Sequence, residues 1–374
     1  MRILLACDKF KGSLSAMEAC EALRDGLRAG GCDAEFVLAP IADGGEGFAG
    51  AMVAAMGGRW TDCASCDALG RPIRARYGLC PKGDQLVAVM EMAEAAGMWR
   101  FGEAERDVMR ASTAGVGRMI RHAAKRSKAD VVLLGIGGSA TNDGGAGLAA
   151  ALGVAFRDAR GWELEPVPEG LEELAEICMG GRILLPHIEV ACDVENPLLG
   201  PGGATAVYGP QKGAGPDEQA RLEAFLEKLV KVAGAEEAAA TPGAGAAGGL
   251  GFGMLQFADA VLRPGFEMVA DALGLEQQVR RADVVITGEG SLDGQTLSGK
   301  GPAGVARMAR EAGVRIVGVG GRVAPEVRES GVFDHLGSLE VFGLPVKESM
   351  TRGGELLQLT GGKLADLLRS VAAS

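Results

Sequence analysis

Short apolar runs alternate with longer amphipathic segments in the first forty residues. Arg2–Cys7 predicts a buried strand, and Ala16–Ala29 carries the apolar spacing of a helix that ends at two glycines. Ser15 and Glu18 are spaced to form a capping box at the start of that helix. Glu35–Leu38 predicts a second strand. This part of the chain therefore predicts the strand–helix–strand order of a parallel α/β sheet.

The same alternation returns in the last third of the chain, from residue 266. Strands are predicted near residues 283, 315 and 338, and helices over Pro302–Ala312 and Glu355–Ala372. Together with the two N-terminal strands, these segments predict one five-stranded, doubly wound sheet. Ligands of such sheets bind beyond the carboxyl ends of the strands.

The middle of the chain has a different pattern. Hairpin-like segments begin near residue 64, which indicates a mixed sheet, and later apolar runs at 85–91, 131–134 and 188–191 predict further strands. The simplest organisation is one α/β domain of residues 1–64 and 258–374, interrupted by a second, mixed α/β domain of residues 65–257. We expect the active site in the cleft between these domains, because a cleft would gather loops from both.

A polar glycine loop follows one of the central strands. Val131–Leu134 predicts that strand, Gly135–Gly145 is rich in glycine and small polar side chains, and Leu148–Phe156 predicts a buried helix. Glycine lets backbone N–H groups approach a ligand closely, and a helix N-terminus attracts anions. The loop predicts an anion site, and a tight turn with polar caps is the alternative.

The segment Thr241–Gly253 is rich in glycine and alanine. This composition fits a flexible linker, a hinge or a loop that approaches other backbone closely. The sequence does not separate these three structures.

Composition and charge limit the classes of protein. The chain has 374 residues, of which 47% are hydrophobic, so it can form two domains with sizeable cores. The formal net charge of −11 argues against a general nucleic-acid binder. Any anionic ligand must therefore be held by local basic groups and backbone amides.

The cysteines and the N-terminal residues indicate in which cellular compartment the protein is expected. The eight cysteines are scattered, and Cys63 and Cys66 form a CxxC pair without the second pair or nearby histidine that a zinc site needs. The apolar run Ile3–Cys7 is too short for a signal peptide, and no stretch has the length of a membrane span. We expect reduced, structural thiols in a cytoplasmic protein that binds neither membranes nor nucleic acids.

Several common active sites do not fit the sequence. None of the three histidines lies in a polar glycine loop, which disfavours a serine hydrolase, and no G-x-G-x-x-G follows the first strand, which disfavours a dinucleotide dehydrogenase. Gly294–Gly301 approaches a Walker A motif, but Gly301 replaces the required Ser or Thr. Lys300 in this stretch is either a phosphate-binding point charge or a solvated lysine.

Carboxylates and lysines instead recur in the loops that follow predicted strands. Carboxylates bind Mg²⁺ or take a proton from a hydroxyl, lysines neutralise phosphoryl oxygens and glycine amides cradle phosphates. Each such residue alone is as well explained as a turn carboxylate or a solvated lysine. Their repetition at one kind of place predicts phosphoryl transfer. These residues are Asp8, Asp43, Glu46, Asp143, Asp193, Glu289 and Asp293, with Lys9, Lys11, Lys212 and Lys300.

The motifs closely resemble those of the glycerate kinase family of the bacterial glycerate and glucarate pathways. They occur in order along nearly the whole chain, and Lys9 is a departure, since the family usually has serine there. The matching stretches are DKFKGSLSA (8–16), PIADGGEG (40–47), GIGGSATNDGG (135–145), DVENPLLG (193–200), GPQKGA (209–214), GGLG (248–251) and TGEGSLDGQTLSGKG (287–301).

The resemblance implies a flavodoxin-like domain interrupted by a second α/β domain, and phosphorylation of D-glycerate to 2-phosphoglycerate with ATP and Mg²⁺. The alternatives are 3-phosphoglycerate as product, a kinase for another small hydroxy acid, and a sugar-acid sensor without activity. Clustered carboxylates disfavour the sensor, because binding an anion needs no negative charge. The sequence leaves the oligomeric state open, a homodimer included.

The resemblance also implies roles for individual residues. The expected catalytic residues are Asp8, Lys11 and Asp193. The expected substrate-binding residues are Lys9, Ser13, Lys212 and Asn196. The expected nucleotide- and phosphate-binding residues are Gly137, Gly138, Ser139, Thr141, Asn142 and Lys300. The expected Mg²⁺ ligands are Asp43, Glu46, Asp143, Glu289 and Asp293.

Overall fold

The computed structural model describes residues 1–42, 44–45, 47–294, 296–298 and 301–372. The chain forms two compact units, which are Met1–Asp43 with Phe266–Ser374 (unit 1) and Gly44–Gly265 (unit 2). The sequence places the first boundary at residue 64, which lies inside the strand Arg59–Cys66. That whole strand belongs to unit 2, because each of its residues pairs with the antiparallel strand Pro72–Lys82.

Thirteen strands form three sheets in the part of the chain that the structure describes. In chain order they are β1 (Arg2–Cys7), β2 (Glu35–Leu38), β3 (Arg59–Cys66), β4 (Pro72–Lys82), β5 (Gln85–Glu91), β6 (Val131–Gly135), β7 (Ala155–Arg157), β8 (Glu176–Cys178), β9 (His187–Ala191), β10 (Val261–Arg263), β11 (Val284–Leu292), β12 (Arg315–Val323) and β13 (His335–Ser338).

Fifteen α-helices accompany them within the same described ranges. In chain order they are α1 (Ala16–Ala29), α2 (Phe48–Ala55), α3 (Ala93–Ala96), α4 (Ala114–His122), α5 (Ala146–Leu152), α6 (Ala204–Tyr208), α7 (Pro216–Ala233), α8 (Glu236–Ala240), α9 (Ala246–Ala258), α10 (Gly265–Leu273), α11 (Leu275–Arg280), α12 (Pro302–Glu311), α13 (Pro325–Glu329), α14 (Val346–Thr351) and α15 (Gly353–Ala372).

Unit 1 contains the predicted five-stranded parallel sheet, in the order β2-β1-β11-β12-β13. This is the strand order of flavodoxin-like folds, so the predicted fold is confirmed. The direction of winding reverses between β1 and β11, which is the switch point where such folds bind ligands. Cys7 at the end of β1 lies opposite Gly288 of β11. The residues that follow, Asp8 and Glu289, are therefore brought together at the switch point.

Both faces of the unit 1 sheet are covered, as its uninterrupted apolar strands predict. Ile3, Leu5 and Cys7 of β1 pack into one buried cluster with residues of α1 and α15. Leu4 and Ala6 pack into the opposite cluster with residues of α10 and α12. The strand is thus buried on both sides, and its carboxyl end is the part left for chemistry.

Helix α1 begins and packs as its sequence predicts. Ser15 accepts a hydrogen bond from the backbone N–H of Glu18, and the Glu18 carboxylate accepts one from the backbone N–H of Ser15, which confirms the capping box. A Cβ at Gly26 would lie 2.0 Å from the carbonyl oxygen of Gln358 in α15. The glycine therefore allows the two helices to pack with their backbones in contact.

Unit 2 is built on a mixed sheet in the order β10-β9-β6-β5-β4-β3. The four strands from β10 to β5 are parallel, and β4 and β3 add an antiparallel edge. Glu91, Gly135 and Ala191 lie in register at the carboxyl ends of β5, β6 and β9. The loops that follow these strands consequently start side by side.

Two predicted elements differ in the structure. The helix predicted over Leu148–Phe156 ends at Leu152, because Gly153 takes a positive φ of 106° and residues 155–157 turn back into β7. The strand predicted near residue 338 covers His335–Ser338 and does not continue beyond Ser338. The Ser338 hydroxyl accepts a hydrogen bond from the N–H of Glu340 and so caps a 3₁₀ turn over Leu339–Phe342.

All eight cysteines are thiols in the structure, and the described residues contain no disulfide. The CxxC pair, Cys63 and Cys66, is buried on β3. Within the described ranges, no helix has both the length and the apolar character needed to cross a membrane.

Candidate active site

In unit 1, two carboxylates lie at the switch point of the sheet. Asp8 is 5% exposed, and its N–H donates to the carbonyl oxygen of Gly288 at 2.8 Å, which extends the β1–β11 pairing by one residue. Its Oδ1 accepts a hydrogen bond of 2.6 Å from the N–H of Lys9. Glu289 is the next residue on β11 and accepts a 2.7 Å hydrogen bond from the hydroxyl of Thr296. The sheet thus places these two predicted site residues on adjacent strands.

The loop after Asp8 is a tight hairpin. Phe10 and Leu14 exchange two backbone hydrogen bonds of 2.9 Å, and Gly12 between them has a φ of 73° that favours glycine. Lys11 is exposed at the tip. The Ser13 hydroxyl donates to the carbonyl oxygen of Met350 at 2.5 Å, so it fastens the loop to α14.

The second loop of unit 1 is organised by Thr296, to which the sequence analysis gives no role. Its Oγ1 donates to Glu289 Oε1 and accepts a 3.0 Å hydrogen bond from the N–H of Asp293. Asp293 Oδ2 in turn accepts a hydrogen bond from the hydroxyl of Ser291. Thr296 follows Asp293 by three residues in the same glycine-rich motif, and this position is the signal that the sequence offers for its role.

The start of α12 completes this group. Gly301 directly precedes α12 and has a φ of 50°. A Cβ atom added to Gly301 would lie 3.7 Å from Asp8 Oδ2. The ten-residue helix therefore begins beside the Asp8 carboxylate. Backbone N–H groups at a helix start favour negative charge nearby.

Unit 2 brings three other motifs together at the carboxyl ends of its strands. Asp193 follows β9, and its Oδ1 accepts a 3.1 Å hydrogen bond from the N–H of Gly265. Gly44 lies against this loop, since a Cβ on it would be 2.8 Å from the Ala191 Cβ and 3.3 Å from Asp193 Oδ2. The same glycine approaches Gly135, the last residue of β6.

Glu91 is an acidic residue that the sequence analysis missed. It ends β5 in register with Gly135 of β6 and accepts a 2.8 Å hydrogen bond from the N–H of Ala49 in the first turn of α2. The negative carboxylate stabilises the N-terminus of that helix. No turn glycine follows Glu91 directly, so the pattern that identified the other loops does not mark it.

The glycine loop after β6 differs from its prediction at Asp143. This residue is fully buried and accepts hydrogen bonds from the N–H and hydroxyl of Thr113, at 2.7 and 2.8 Å. It also accepts 3.1 Å hydrogen bonds from the N–H groups of Gly145 and Gly147. Burial raises the pKa of Asp143 above its ordinary value, and these hydrogen bonds oppose the shift only in part. Asp143 is an internal anchor with four donors and is therefore not retained as a Mg²⁺ ligand.

Lys212 is also an internal residue. Its side chain is 2% exposed, and Nζ donates to the carbonyl oxygen of Thr141 at 2.7 Å. Burial lowers the pKa of Lys212 to about 7, and the negative charge of Asp143 opposes this shift. The ammonium is directed to the glycine loop of its own unit.

The other polar residues of this region divide into internal and accessible ones. Thr141 and Asn142 are fully buried, and Asn142 Nδ2 donates to the hydroxyl of Thr205 at 3.1 Å. Asn196 donates to the carbonyl oxygen of Gly202 and accepts a 2.7 Å hydrogen bond from the hydroxyl of Tyr208. Gly138 is exposed with a φ of 72°. Among the predicted phosphate-binding residues that are described, Gly137 and Gly138 have the accessible backbone.

The Gly/Ala-rich segment 241–253 is a close-approach loop. Ala247, Gly248 and Gly249 all have positive φ, and a Cβ on Gly248 would lie 1.9 Å from the carbonyl oxygen of Thr141. Gly144 N donates to the carbonyl oxygen of Gly248 at 3.1 Å. This packing favours the close-approach loop among the three alternatives, because the segment is hydrogen-bonded against the glycine loop.

The remaining predicted residues lie outside the described part of the chain, namely Asp43, Glu46 and Lys300. Among the described residues, no group of three or more His, Cys, Asp or Glu side chains is arranged to hold a metal ion. Mg²⁺ commonly binds one or two carboxylates while keeping several waters and the phosphates of its nucleotide. Glu289 and Asp293, which both hydrogen-bond to Thr296, supply two carboxylates of the kind such a site uses.

The two units therefore define an α/β protein whose strand ends carry carboxylates, an exposed lysine and accessible glycine backbone, as phosphotransferases do. The model of the glycerate kinase family matches residues 3–369. The chain belongs to the glycerate kinase family and is a kinase.

Individual relatives span the same length. A glycerate kinase from Bacillus subtilis (strain 168) is 40% identical over 376 residues, covering 98% of this chain and 97% of the relative. A glycerate 2-kinase from Escherichia coli (strain K12) is 40% identical over 333 residues, 87% of each chain. The crystal structure of a protein designated glycerate kinase 2 from Salmonella typhimurium LT2 superposes with a TM-score of 0.87 over 100% of both chains, at 39% identity.

Proposed function

We propose that this kinase transfers the γ-phosphoryl group of ATP, with Mg²⁺, to D-glycerate and forms 2-phosphoglycerate. Two similarities support the substrate and the product, namely those to the proteins called glycerate kinase and glycerate 2-kinase. The observation that carries the proposal within this chain is the position of Asp8 and Glu289, which directly follow the paired residues Cys7 and Gly288 at the switch point of a flavodoxin-like sheet.

Asp8 is our choice for the general base on the glycerate hydroxyl. Its backbone is fixed by the hydrogen bond to Gly288, and its burial beside the start of α12 gives the carboxylate one defined position. Phosphoryl transfer passes through a loose transition state that needs positioning more than a strong base. Asp193 of unit 2 is the other candidate for this role.

The exposed Lys11 would bind the carboxylate of glycerate or a phosphate oxygen, with Lys9 beside it. The accessible backbone of Gly137 and Gly138 would bind the phosphate chain of ATP. Ser13 and Asn196 make hydrogen bonds within the fold, so we assign them to loop structure rather than to substrate.

Mg²⁺ would be held by Glu289 and Asp293, together with the phosphates of the nucleotide. When bound, the ion neutralises charge on the phosphate oxygens. Thr296 would hold both acidic residues in place, since it hydrogen-bonds to the carboxylate of one and the backbone of the other. On the sequence resemblance alone, Asp43 and Glu46 remain proposed Mg²⁺ ligands and Lys300 remains a proposed phosphate-binding residue.

The test is a coupled assay of the purified protein with D-glycerate, ATP and Mg²⁺, followed by phosphorus NMR of the product. A 2-phosphoglycerate resonance is the expected result. A 3-phosphoglycerate resonance would overturn the proposed position of transfer. Turnover restricted to another hydroxy acid would overturn the substrate, and binding without ATP consumption across the panel would indicate a sensor instead.

A further inference from the structure

The central part of the glycine loop, residues 141–145, is held by three separate segments of unit 2. Thr113 donates two hydrogen bonds to Asp143, Thr205 of α6 accepts one from Asn142, and Gly248 accepts one from the N–H of Gly144. These contacts hold residues 142–144 from three sides. None of these segments donates a hydrogen bond to the carbonyl oxygen of Thr141.

Lys212 donates that hydrogen bond. It ends the 3₁₀ turn Pro210–Lys212, and Gly213 follows with a φ of 98° that reverses the chain. Arg106 holds the same turn from outside through a 3.3 Å hydrogen bond from Nη1 to the carbonyl oxygen of Gln211. The Lys212 side chain then runs into the interior, where its Nζ meets Thr141.

The ammonium group of Lys212 is poorly accessible to a ligand in solution. The side chain is 2% exposed, and its hydrogen-bond partner is itself fully buried. A substrate-binding lysine would instead present its ammonium group at an accessible surface, as Lys11 does in unit 1. Burying an amine inside a protein is unfavourable unless a polar partner compensates, and here that partner is a carbonyl group of the glycine loop.

The residues before Thr141 are held from the other side. The carbonyl oxygen of Gly138 accepts a 2.9 Å hydrogen bond from the N–H of Met98, and Ala140 donates one of 2.8 Å to the carbonyl oxygen of Ala96. The loop is therefore fixed at Gly138 and Ala140 by the 96–98 segment and at Thr141 by Lys212. The fixed stretch therefore begins at Gly138, and Gly137 with its accessible backbone comes directly before it.

We propose that Lys212 is a positioning residue, which holds the backbone of the glycine loop through Thr141 so that Gly137 and Gly138 are preorganised for the phosphate chain of the nucleotide. It replaces the role of substrate ligand that the sequence suggests. The part of this inference that concerns the nucleotide rests on the proposed function. The part that concerns the loop stands on the contacts alone.

The structural part is tested by hydrogen–deuterium exchange of the peptide that covers residues 136–148, in the full-length protein without ligands. Lys212→Met removes the donor and should speed exchange of this peptide by about tenfold or more, because a buried hydrogen bond is lost. Lys212→Gln keeps an N–H donor and should restore most of the protection. Lys231→Met, at an exposed lysine of α7, is the matched control. Equal exchange in the wild type and Lys212→Met would overturn the proposal.

The functional part is tested by steady-state kinetics with both substrates. Lys212→Met should lower kcat/KM for ATP by about 10- to 100-fold, since misplacing a binding loop weakens positioning. Its KM for D-glycerate should stay within about threefold of the wild-type value. Lys212→Gln should recover most of the activity. A selective rise in KM for D-glycerate in both variants would instead make Lys212 a substrate ligand.

The outcomes separate this inference from the proposed function. If the wild type does not phosphorylate D-glycerate, the proposed function fails, and the exchange experiment still decides the role of Lys212. If Lys212→Met does not fold, Lys212→Gln alone remains decisive, because a positioning donor predicts near-normal kinetics and a charged ligand predicts the loss of D-glycerate binding.

Discussion

The carboxylate of Asp143 accepts hydrogen bonds from both the backbone N–H and the hydroxyl of Thr113, 30 residues earlier in the chain. The same carboxylate accepts the N–H groups of Gly145 and Gly147 at the start of α5. The helix N-terminus that the sequence offers to a phosphate group is therefore occupied by an anion of the protein. This relationship makes Asp143 a determinant of the fold of unit 2.

We predict that Asp143→Asn destabilises the protein by about 3 kcal/mol, because an amide leaves buried donors unsatisfied and removes a buried charge. The free energy of unfolding from urea titrations measures the change. Asp84→Asn, at an exposed turn residue, is the control and should change that free energy by less than about 0.5 kcal/mol. A loss below about 1 kcal/mol for Asp143→Asn would contradict the anchoring role.

Gly248→Ala should be among the most damaging small substitutions in the chain. The residue has a φ of 72°, and the new Cβ would lie 1.9 Å from the carbonyl oxygen of Thr141. Left-handed backbone and a clash with fixed backbone together should cost about 3 kcal/mol or more. Thermal unfolding followed by circular dichroism tests this. Gly180→Ala is the control and should leave the melting temperature nearly unchanged, because a Cβ at Gly180 meets open space. Similar melting temperatures for the two variants would contradict the close approach of Gly248 to Thr141.

The stability of the protein should depend on pH through Lys212. Its pKa is lowered by burial to about 7 in the folded protein, against the ordinary value of 10.5 in the unfolded chain. Between these values the unfolded chain binds the proton and the folded protein does not, so the free energy of unfolding rises with pH. Below pH 7 both states are protonated and this dependence ends.

The check is the difference in unfolding free energy between the wild type and Lys212→Met at several pH values. The wild type should gain stability relative to the variant from pH 7 to about pH 10, while groups common to both proteins cancel. A difference that stays constant across this range would show that Lys212 has an ordinary pKa.

Asp8→Asn should reduce kcat by about 10²- to 10⁴-fold, as expected when a general base is removed. The substituted side chain keeps its shape, so the melting temperature should change little. Asp33→Asn, at an exposed position of unit 1, serves as the control for both measurements. Unchanged kcat in Asp8→Asn would contradict the role of Asp8 as the base and favour Asp193. In that case Asp193→Asn should show the loss of kcat instead.

The periodicity of apolar residues was sufficient to predict the strands and helices that form the sheet of unit 1. The strands Arg2–Cys7 and Glu35–Leu38 and the helix Ala16–Ala29 have the predicted bounds. The capping box of Ser15 and Glu18 is present. These features depend on residues a few positions apart, so the local pattern contains the information that fixes them.

Two polar residues that received no role from the sequence gain one from their contacts in the fold. Thr296 becomes important because it joins Glu289 to Asp293, and Glu91 because it reaches the N-terminus of α2. The partners of Thr296 lie in its own motif, but the hydrogen bonds depend on how that loop folds. The partner of Glu91 is Ala49, 42 residues earlier in the chain. The same reason explains Asp143 and Lys212, whose charges have the right type and place for a ligand site but are used inside unit 2.

Apolar spacing and turn residues act locally, so the strand–helix alternation, the doubly wound sheet and the glycine loops after its strands could be predicted before folding was known. Which polar side chains in those loops stay accessible, and which become internal partners, depends on the folded chain. Burial and hydrogen bonding between segments far apart in the chain make that choice. The accessible Lys11 and the buried Lys212, both lysines of glycine loops, differ for this reason.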